Sequence, residues 1–154
     1  MRFRYEYRRN LPHYQPDNKI FFITFCTYRR WVLPDIARTI TIETCLRSHQ
    51  REYKLYAAVV MPDHVHLAIS PYSKNGYTVA IPEIMQTLKG VSAHQINRLL
   101  MRCGAVWQEE SFDRALRREE ALDAKVLYMF ENPVRAGLVR NPEEYQWFWR
   151  NKEP

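Results

Sequence analysis

Apolar runs bounded by turn signals predict several short strands in this chain. The segment "KIFFITFCT" at 19–27 is aromatic and β-branched, as in a buried strand. The segments "YKLYAAVVM" at 53–61 and "HVHLAIS" at 64–70 are separated only by the turn-forming pair Pro-Asp, which predicts an antiparallel hairpin. A loop "PYSKNGY" at 71–77 then ends the second strand, and "AVWQEESFDRALR" at 105–117 is a less regular fourth strand.

Apolar residues at helical spacing predict three helices between and after these strands. The first, within 34–52, has Pro34 in its first turn, and its spaced apolar positions are Ile36, Ile40, Cys45 and Leu46. The second, within 82–102, carries a stripe formed by Ile84, Leu88, Val91, Leu99 and Leu100. The third, "REEALDAKVLYMFEN" at 118–132, stops before Pro133 because the residue before proline is disfavoured in a helix.

The resulting order is β-α-β-β-α-β followed by a further helix. This order predicts an α+β fold of the ferredoxin-like, split-βαβ type, with an antiparallel sheet covered on one face by two helices. A chain of 154 residues suffices for one domain with its own core. We expect a single domain over 1–154, with a core at about 19–140, a basic arm at 1–18 and an aromatic tail at 141–154 that packs back on the domain.

The charge favours nucleic acid as the partner, since the net charge is +6 and arginine supplies much of it. In the arm, basic residues alternate with aromatic ones, which suits phosphate neutralisation together with base stacking. The candidate DNA-binding residues are Arg2, Arg4, Arg8, Arg9, Lys89, Arg114, Arg117 and Arg118. A merely basic enzyme with a solvated arm and ordinary surface charges is the alternative interpretation.

Cysteine usage and hydropathy indicate a cytoplasmic protein. Cys26, Cys45 and Cys103 are widely spaced and are expected to be free thiols. The N-terminus lacks the apolar run of a secretion signal, and we expect no membrane span.

His64 and His66 flank a single valine in the second strand of the hairpin. Side chains alternate faces along a strand, so both imidazoles project from one side. Neutral imidazole binds Mn, Co, Ni or Zn and, less readily, Mg, although an isolated H-x-H is more often structural. Two ligands leave a metal under-coordinated, so a third is needed from elsewhere.

The last predicted helix offers that third ligand and a nucleophile. Tyr128 and Asn132 are four residues apart and share a helix face. If that face covers the histidines, Asn132 can supply an amide oxygen to the metal and Tyr128 can present its phenol beside it. An isolated tyrosine is more often a core aromatic whose hydroxyl reaches the surface.

These residues lie in segments that resemble a known family. "MPDHVHLAIS" at 61–70 and "WQEESFDRALRREEALDAKVLYMFENPVRAGLV" at 107–139 are similar to the single-tyrosine HUH nucleases, and most of all to the REP-associated tyrosine transposases. The similarity extends over roughly 19–139.

The resemblance implies that His64 and His66 are the ligands of a divalent metal, Mg²⁺ or Mn²⁺, and that Tyr128 is the nucleophile. It also implies that Asn132 occupies the position of a third ligand, often glutamine in the insertion-sequence branch. The implied substrate is single-stranded DNA in hairpins from repetitive extragenic palindromes, cut through a 5′-phosphotyrosine intermediate. The sequence leaves both a monomer and a homodimer open. No small-molecule cofactor and no membrane partner are expected.

Two other functions remain open from the sequence. One is a non-catalytic module that binds single-stranded nucleic acid on the same sheet. The other is a rolling-circle type nickase or relaxase, which shares the chemistry but usually carries further domains.

Overall fold

A computed structural model describes residues 15–16, 19–74, 76–117 and 119–153. The helices are α1 (Asp35–Ser48), α2 (Ile81–Leu100) and α3 (Glu119–Arg135). The strands are β1 (Gln15–Pro16), β2 (Ile20–Thr27), β3 (Tyr53–Val60), β4 (His64–Lys74), β5 (Tyr77–Thr78), β6 (Trp107–Leu116) and β7 (Phe148–Arg150). Short 3-10 turns at Tyr28–Arg30 and Pro142–Glu144 complete the described elements.

The sheet has the strand order β6-β2-β4-β3-β7, and all of these neighbours are antiparallel. In the first four strands of this order, β2 and β4 are central neighbours, and β6 and β3 lie outside them. This is the strand arrangement of the split-βαβ fold. β1 and β5 both pair with the distal end of β4. The predicted ferredoxin-like fold is therefore confirmed.

One face of the sheet forms the main core under α1 and α2. The inward side chains of β2 and β4, such as Phe25 and Leu67, are fully buried. The ring of Trp107 packs edge-on against Phe25, and its indole N–H donates to Ser92 of α2 at 2.9 Å. In α1, the two buried threonines donate to the carbonyls four residues earlier, which satisfies their hydroxyls inside the core.

The opposite face of the sheet is covered by α3, which contacts β3, β4, β6 and β7. Phe130 of α3 lies 5.2 Å from the ring of Phe148 in β7. Tyr145 and Trp147 lie in the segment that connects α3 to β7, and both are buried. The indole N–H of Trp147 donates to the hydroxyl of Thr39 in α1. The aromatic tail thus packs back on the domain as expected, and it also adds β7 to the sheet, which the sequence did not predict.

The turn between β3 and β4 is tied to the end of β2. The backbone N–H of Thr27 donates to the carbonyl of Asp63 at 2.9 Å, and the N–H of Met61 donates to the carbonyl of His64 at 2.8 Å. This turn confirms the predicted hairpin and fixes the start of β4, where the two histidines lie.

The predicted end of the last helix was wrong. α3 continues through Pro133 to Arg135, so the lost N–H and the crowding of the proline ring against the preceding turn do not end the helix there. The helix ends at Gly137, whose φ of +77° is the left-handed conformation that glycine adopts without strain. The N–H groups of Gly137 and Leu138 donate to the carbonyls of Val134 and Pro133, and so close the helix end.

Two other sequence predictions also need correction. β4 does not end at Ser70 but runs through the predicted loop to Lys74, since β1 and β5 provide partners for its extension. In α2, Val91 and Leu99 are exposed, and Ile84, Met85, Leu88, Ser92 and Ile96 are the buried residues. The neighbours of α2 therefore select a narrower stripe than the predicted one.

The three cysteines are free, as expected. Within the described ranges, no helix combines the length and the apolar character that a bilayer span requires.

Candidate functional site

The two histidines lie at the start of β4 and project from the sheet face that α3 covers. Their rings are 4.9 Å apart, centroid to centroid, and are inclined at 71°. Val65 between them is fully buried on the opposite face. The same-face arrangement predicted from strand alternation is present.

Each imidazole is oriented by a hydrogen bond to Nδ1. His64 Nδ1 donates to Asp63 Oδ1 at 2.8 Å, and Asp63 also accepts from Arg30 Nε at 3.1 Å. His66 Nδ1 lies 2.8 Å from the hydroxyl of Thr24 on β2. When these partners accept the hydrogen bonds, both Nε2 atoms retain the lone pair that binds a metal.

Local electrostatics keep Asp63 ionised. Burial acts to raise the pKa of this carboxyl, but the hydrogen bond from His64 and the charge of Arg30 outweigh it and lower the pKa below its ordinary value. An ionised Asp63 accepts from His64 and holds its ring in the tautomer with a free Nε2.

His66 is buried and remains neutral. Burial, followed by the charges of His64, Lys125 and Arg135, lowers the pKa of His66 to about 3. Its ring stacks on Phe22, with centroids 5.1 Å apart. A neutral imidazole is the form that coordinates a cation.

Tyr128 faces this pair from α3. Its ring centroid lies 5.7 Å from that of His66 and 6.4 Å from that of Phe22. The side chain is 41% exposed, so its phenol is open to a large substrate. The structure therefore brings the predicted tyrosine and histidines together.

Two cations flank Tyr128. Lys125 Nζ lies 5.5 Å from its ring centroid, and the guanidinium carbon of Arg135 lies 4.3 Å from it. Arg135 also donates to the backbone carbonyl of Tyr128 at 2.7 Å. Sequence reasoning missed both residues, although their spacing of three before and seven after Tyr128 places them on its helix face.

Asn132 lies one helical turn after Tyr128 and is buried. Its amide Nδ2 is buried without a hydrogen-bond partner. A buried amide end without a partner is unfavourable, and the two ends of an amide differ only by a rotation that exchanges oxygen and nitrogen. An oxygen at this position is a suitable ligand for a divalent cation.

Two imidazoles and one buried amide are donor types that suit a divalent metal. Among the described residues, no cluster of three or more His, Cys, Asp and Glu side chains could hold a metal ion. A further carboxylate or histidine is therefore not at hand there, and the orphaned amide of Asn132 is the candidate third ligand.

The predicted DNA-binding residues have different surroundings. Arg114 is exposed on the histidine face of β6, and Arg117 is exposed just after this strand. Lys89 is instead used within the protein, since its Nζ donates to the carbonyls of Gln108, Glu109 and Glu110 at 2.8–3.1 Å. The remaining predicted residues, Arg2, Arg4, Arg8, Arg9 and Arg118, lie outside the described residues.

A cavity of about 540 Å³ lies between α2 and β6, away from the histidines. Its walls include Met85 and Gly90 of α2 and Trp107 of β6, and none of the predicted catalytic or metal-binding residues lines it. The candidate site therefore lies on the opposite face of the sheet from this cavity.

A split-βαβ sheet with two same-face histidines opposite a helical tyrosine is the arrangement expected of a single-tyrosine transposase. Residues 15–117, about two thirds of the chain, match the family described as IS200-like transposases. The chain belongs to this family of DNA transposases, as its resemblance indicated. The matched range includes His64 and His66 and ends before α3, which carries Tyr128 and Asn132.

The chain is similar to two REP-associated tyrosine transposases, one by sequence and one by structure. The chain is 24% identical over 101 residues to a Haemophilus influenzae protein assigned to the REP-associated tyrosine transposases. That match covers 62% of this chain and 57% of the relative's length. The fold is similar to that of a REP-associated tyrosine transposase solved with a REP hairpin, with a TM-score of 0.68, 18% identity, and coverage of 90% of this chain and 79% of the other.

The same fold also supports other chemistry. A bacterial tRNA(His) guanylyltransferase-like protein in complex with ATP matches with a TM-score of 0.51 and 12% identity, over 93% of this chain and 73% of the other. The fold alone therefore does not identify the reaction, which has to be inferred from the residues of the site.

Proposed function

We propose that this protein is a metal-dependent endonuclease and strand transferase for single-stranded DNA, with Tyr128 as the nucleophile. The observation that carries the proposal is the approach of Tyr128 on α3 to His66 on β4, at 5.7 Å between ring centroids. A phenol beside two imidazole ligands is an arrangement for attack on a phosphodiester.

In the proposed reaction, Tyr128 Oη attacks the phosphorus atom of one phosphodiester. A bond forms between Oη and phosphorus, and the bond from phosphorus to the 3′ oxygen breaks. The phenolic proton passes to solvent, and the departing oxygen takes up a proton to become a free 3′-hydroxyl. The downstream strand remains linked to the protein as a 5′-phosphotyrosine, from which a second 3′-hydroxyl can reverse the step on another strand.

The metal would be held by Nε2 of His64, Nε2 of His66 and the amide oxygen of Asn132. Mg²⁺ or Mn²⁺ bound there would act as a Lewis acid that withdraws charge from the phosphate. Asp63 and Thr24 orient the two imidazoles through Nδ1. Lys125 and Arg135 add positive charge beside Tyr128, which favours the approach of an anionic backbone.

We propose REP-type hairpins as the substrate, with cleavage in an unpaired flank. The substrate is supported by the structurally similar REP-associated tyrosine transposase, which was solved with a REP hairpin. A phenol fixed on a helix needs the scissile phosphate bent into its reach, which a flexible single strand does at a lower deformation free energy than a duplex. The paired stem would then contact basic residues such as Arg117, together with the arginines of the arm.

The test is a covalent-adduct assay with labelled hairpins that carry an unpaired flank, in Mg²⁺ or Mn²⁺. Wild-type protein should give an adduct that survives denaturation, while Tyr128→Phe should give none and still bind the hairpin, since cations and aromatics supply affinity. Tyr77→Phe is the matched control, because Tyr77 is a partly exposed tyrosine on β5. It should cleave like wild type.

The released upstream fragment should be extendable by a polymerase, because it ends in a 3′-hydroxyl. Unchanged adduct formation by Tyr128→Phe, a 3′-phosphotyrosine link or efficient cutting of fully paired DNA would each contradict the proposal. Hairpin binding without any adduct would favour the non-catalytic binding module instead.

A further inference from the structure

An exposed aromatic side chain lies in the same cross-strand row as His66, one of the candidate metal ligands. Phe112 of β6 pairs directly with Thr24 of β2, and Thr24 pairs directly with His66 of β4. Directly paired residues in an antiparallel sheet project from the same face. The hydrogen bond between Thr24 and His66 agrees with this register. Phe112 therefore projects from the histidine face, two strand spacings, or about 10 Å, from His66.

The two ends of this row differ in exposure. Beyond His66 the row continues to Val59, which is fully buried, and to Phe148, which contacts Phe130 of α3. At the other end, Phe112 is 64% exposed. The β7 end of this row thus packs against α3, whereas the β6 end, at Phe112, remains exposed.

Cationic side chains accompany the open half. Arg114 pairs with Phe22, and the Phe22 ring stacks on His66. Lys125 Nζ lies 4.6 Å above the centroid of the same Phe22 ring. Aromatic rings interleaved with cations are the composition with which proteins bind single-stranded nucleic acid, because bases stack on the rings and the cations neutralise phosphates.

The acidic residues of β6 do not belong to this row. Asp113 pairs with Ile23, whose side chain is buried in the core on the other face. Glu109 and Glu110 lie where the register with β2 is interrupted. The exposed end of the row and its surroundings therefore combine the aromatic side chain of Phe112 with the basic side chains of Arg114 and Lys125, which suits a nucleobase and its phosphate better than an apolar protein segment.

We propose that Phe112 is a stacking platform for an unpaired nucleobase of the DNA strand, and that Arg114 neutralises a phosphate of the same strand. This inference rests on the proposed function for its substrate class. Stacked nucleotides rise about 3.4 Å each, so a separation of about 10 Å places the stacked base about three nucleotides from the phosphate at the histidines.

The experiment measures binding rather than cleavage. Wild type and the variants Phe112→Ala, Phe112→Trp and Leu99→Ala are titrated against a hairpin with an unpaired flank, against the same hairpin without a flank, and against oligothymidylate. A fluorescent adenine analogue is placed at successive flank positions, because stacking quenches it. Leu99 is the matched control, since it is an apolar residue with 59% exposure on α2, which covers the other face of the sheet.

Phe112→Ala should bind the flanked hairpin and oligothymidylate about tenfold to a hundredfold more weakly, and should lose quenching at one flank position. Phe112→Trp should retain both, and Leu99→Ala should match wild type. The salt dependence should be unchanged in Phe112→Ala, because the phenyl group carries no charge, and should flatten in Arg114→Ala. The affinity for the hairpin without a flank should be the same in Phe112→Ala and in wild type.

Wild-type affinity and quenching in Phe112→Ala, or an equal loss with the unflanked hairpin, would overturn the stacking platform. Because the readout is binding, failure of the two proposals can be told apart. If the adduct requires Tyr128 but binding does not require Phe112, the proposed nuclease activity stands and the stacking platform is contradicted. If binding requires Phe112 but no adduct forms, the stacking platform stands and the proposed nuclease activity is contradicted.

Discussion

The two histidines of the site differ in how their rings are held. His64 is fixed by an ionised carboxylate that is itself paired with Arg30, whereas His66 is fixed by the Thr24 hydroxyl in a more buried setting. Both arrangements engage Nδ1 and leave Nε2 available to a metal. In the proposed site Asn132 would contribute a neutral amide, which water can replace more easily than it replaces an imidazole.

We expect His64→Ala and His66→Ala each to abolish metal-dependent cleavage. Asn132→Ala should reduce cleavage on the order of tenfold, and extra Mg²⁺ or Mn²⁺ should restore part of it, because water can take the position of the amide. Adduct yield as a function of metal concentration measures both effects. If Asn132→Ala stays inactive at saturating metal, the amide has another role, such as positioning Tyr128.

Lys89 and Arg114 are a pair of basic residues with opposite expected roles. Burial lowers the pKa of Lys89, and its ammonium bridges three consecutive carbonyls of β6. Lys89→Met should reduce the free energy of unfolding by about 1 kcal/mol, since half-exposed carbonyls can be rehydrated. It should leave the salt dependence of DNA binding unchanged, whereas Arg114→Ala should flatten it. Urea titration and binding at several salt concentrations measure these effects, and a flatter slope in Lys89→Met without loss of stability would contradict this assignment.

At the scale of elements, the C-terminal end of α3 controls how the site helix is anchored. Gly137 closes the helix with a left-handed φ of +77°, and Arg135 in the last turn donates to the Tyr128 carbonyl. A Cβ at Gly137 would meet no atom within 4 Å, so only the backbone conformation opposes a larger residue.

Gly137→Ala should therefore reduce the free energy of unfolding by about 1–2 kcal/mol and lower the adduct yield. The matched control is Gly90→Ala, in the middle of α2, where the added Cβ also meets open space. That variant should be more stable than wild type by about 0.5–1 kcal/mol, because alanine favours a helix. Thermal or urea unfolding of both variants measures the contrast, and equal signs for the two changes would refute it.

At the scale of the molecule, burial of His66 under α3 makes stability depend on pH. In the metal-free protein the pKa of His66 is about 3, against about 6.5 in the unfolded chain. Between these values the unfolded chain binds a proton that the folded protein does not. The stability from this group is thus fully present above about pH 6.5 and is lost as the pH falls towards 3.

His66→Gln should show a flatter fall in the free energy of unfolding from pH 6.5 to pH 5 than wild type. Urea unfolding at several pH values with a chelator present measures this, and the range above pH 5 limits the contribution of carboxyl groups. The slopes rather than the absolute stabilities are compared, since the substitution also changes packing. Identical slopes would mean that His66 is protonated in the folded protein.

The sequence predicted the fold because most of the longer strands and helices carry an apolar or periodic signal of their own. Alternation along β4 placed His64 and His66 on one face, and the spacing of four placed Tyr128 and Asn132 on one helix face. The prediction failed where contacts with other parts of the chain decide burial or the end of a helix. Val91 and Leu99 fit a helical stripe but are exposed. Pro133 lies inside α3, and the helix is instead closed at Gly137.

Relations within one element were thus determined by the sequence, since local backbone geometry sets the direction of each side chain. Relations between elements required the tertiary structure. Thr24 is 42 residues from His66 in the chain, yet register alone brings them to 2.8 Å. The approach of Tyr128 to His66, the use of Lys89 by three carbonyls and the position of Phe112 beside Thr24 likewise depend on strand register and helix packing. These distances arise from the burial of many side chains together, so no short stretch of sequence specifies them.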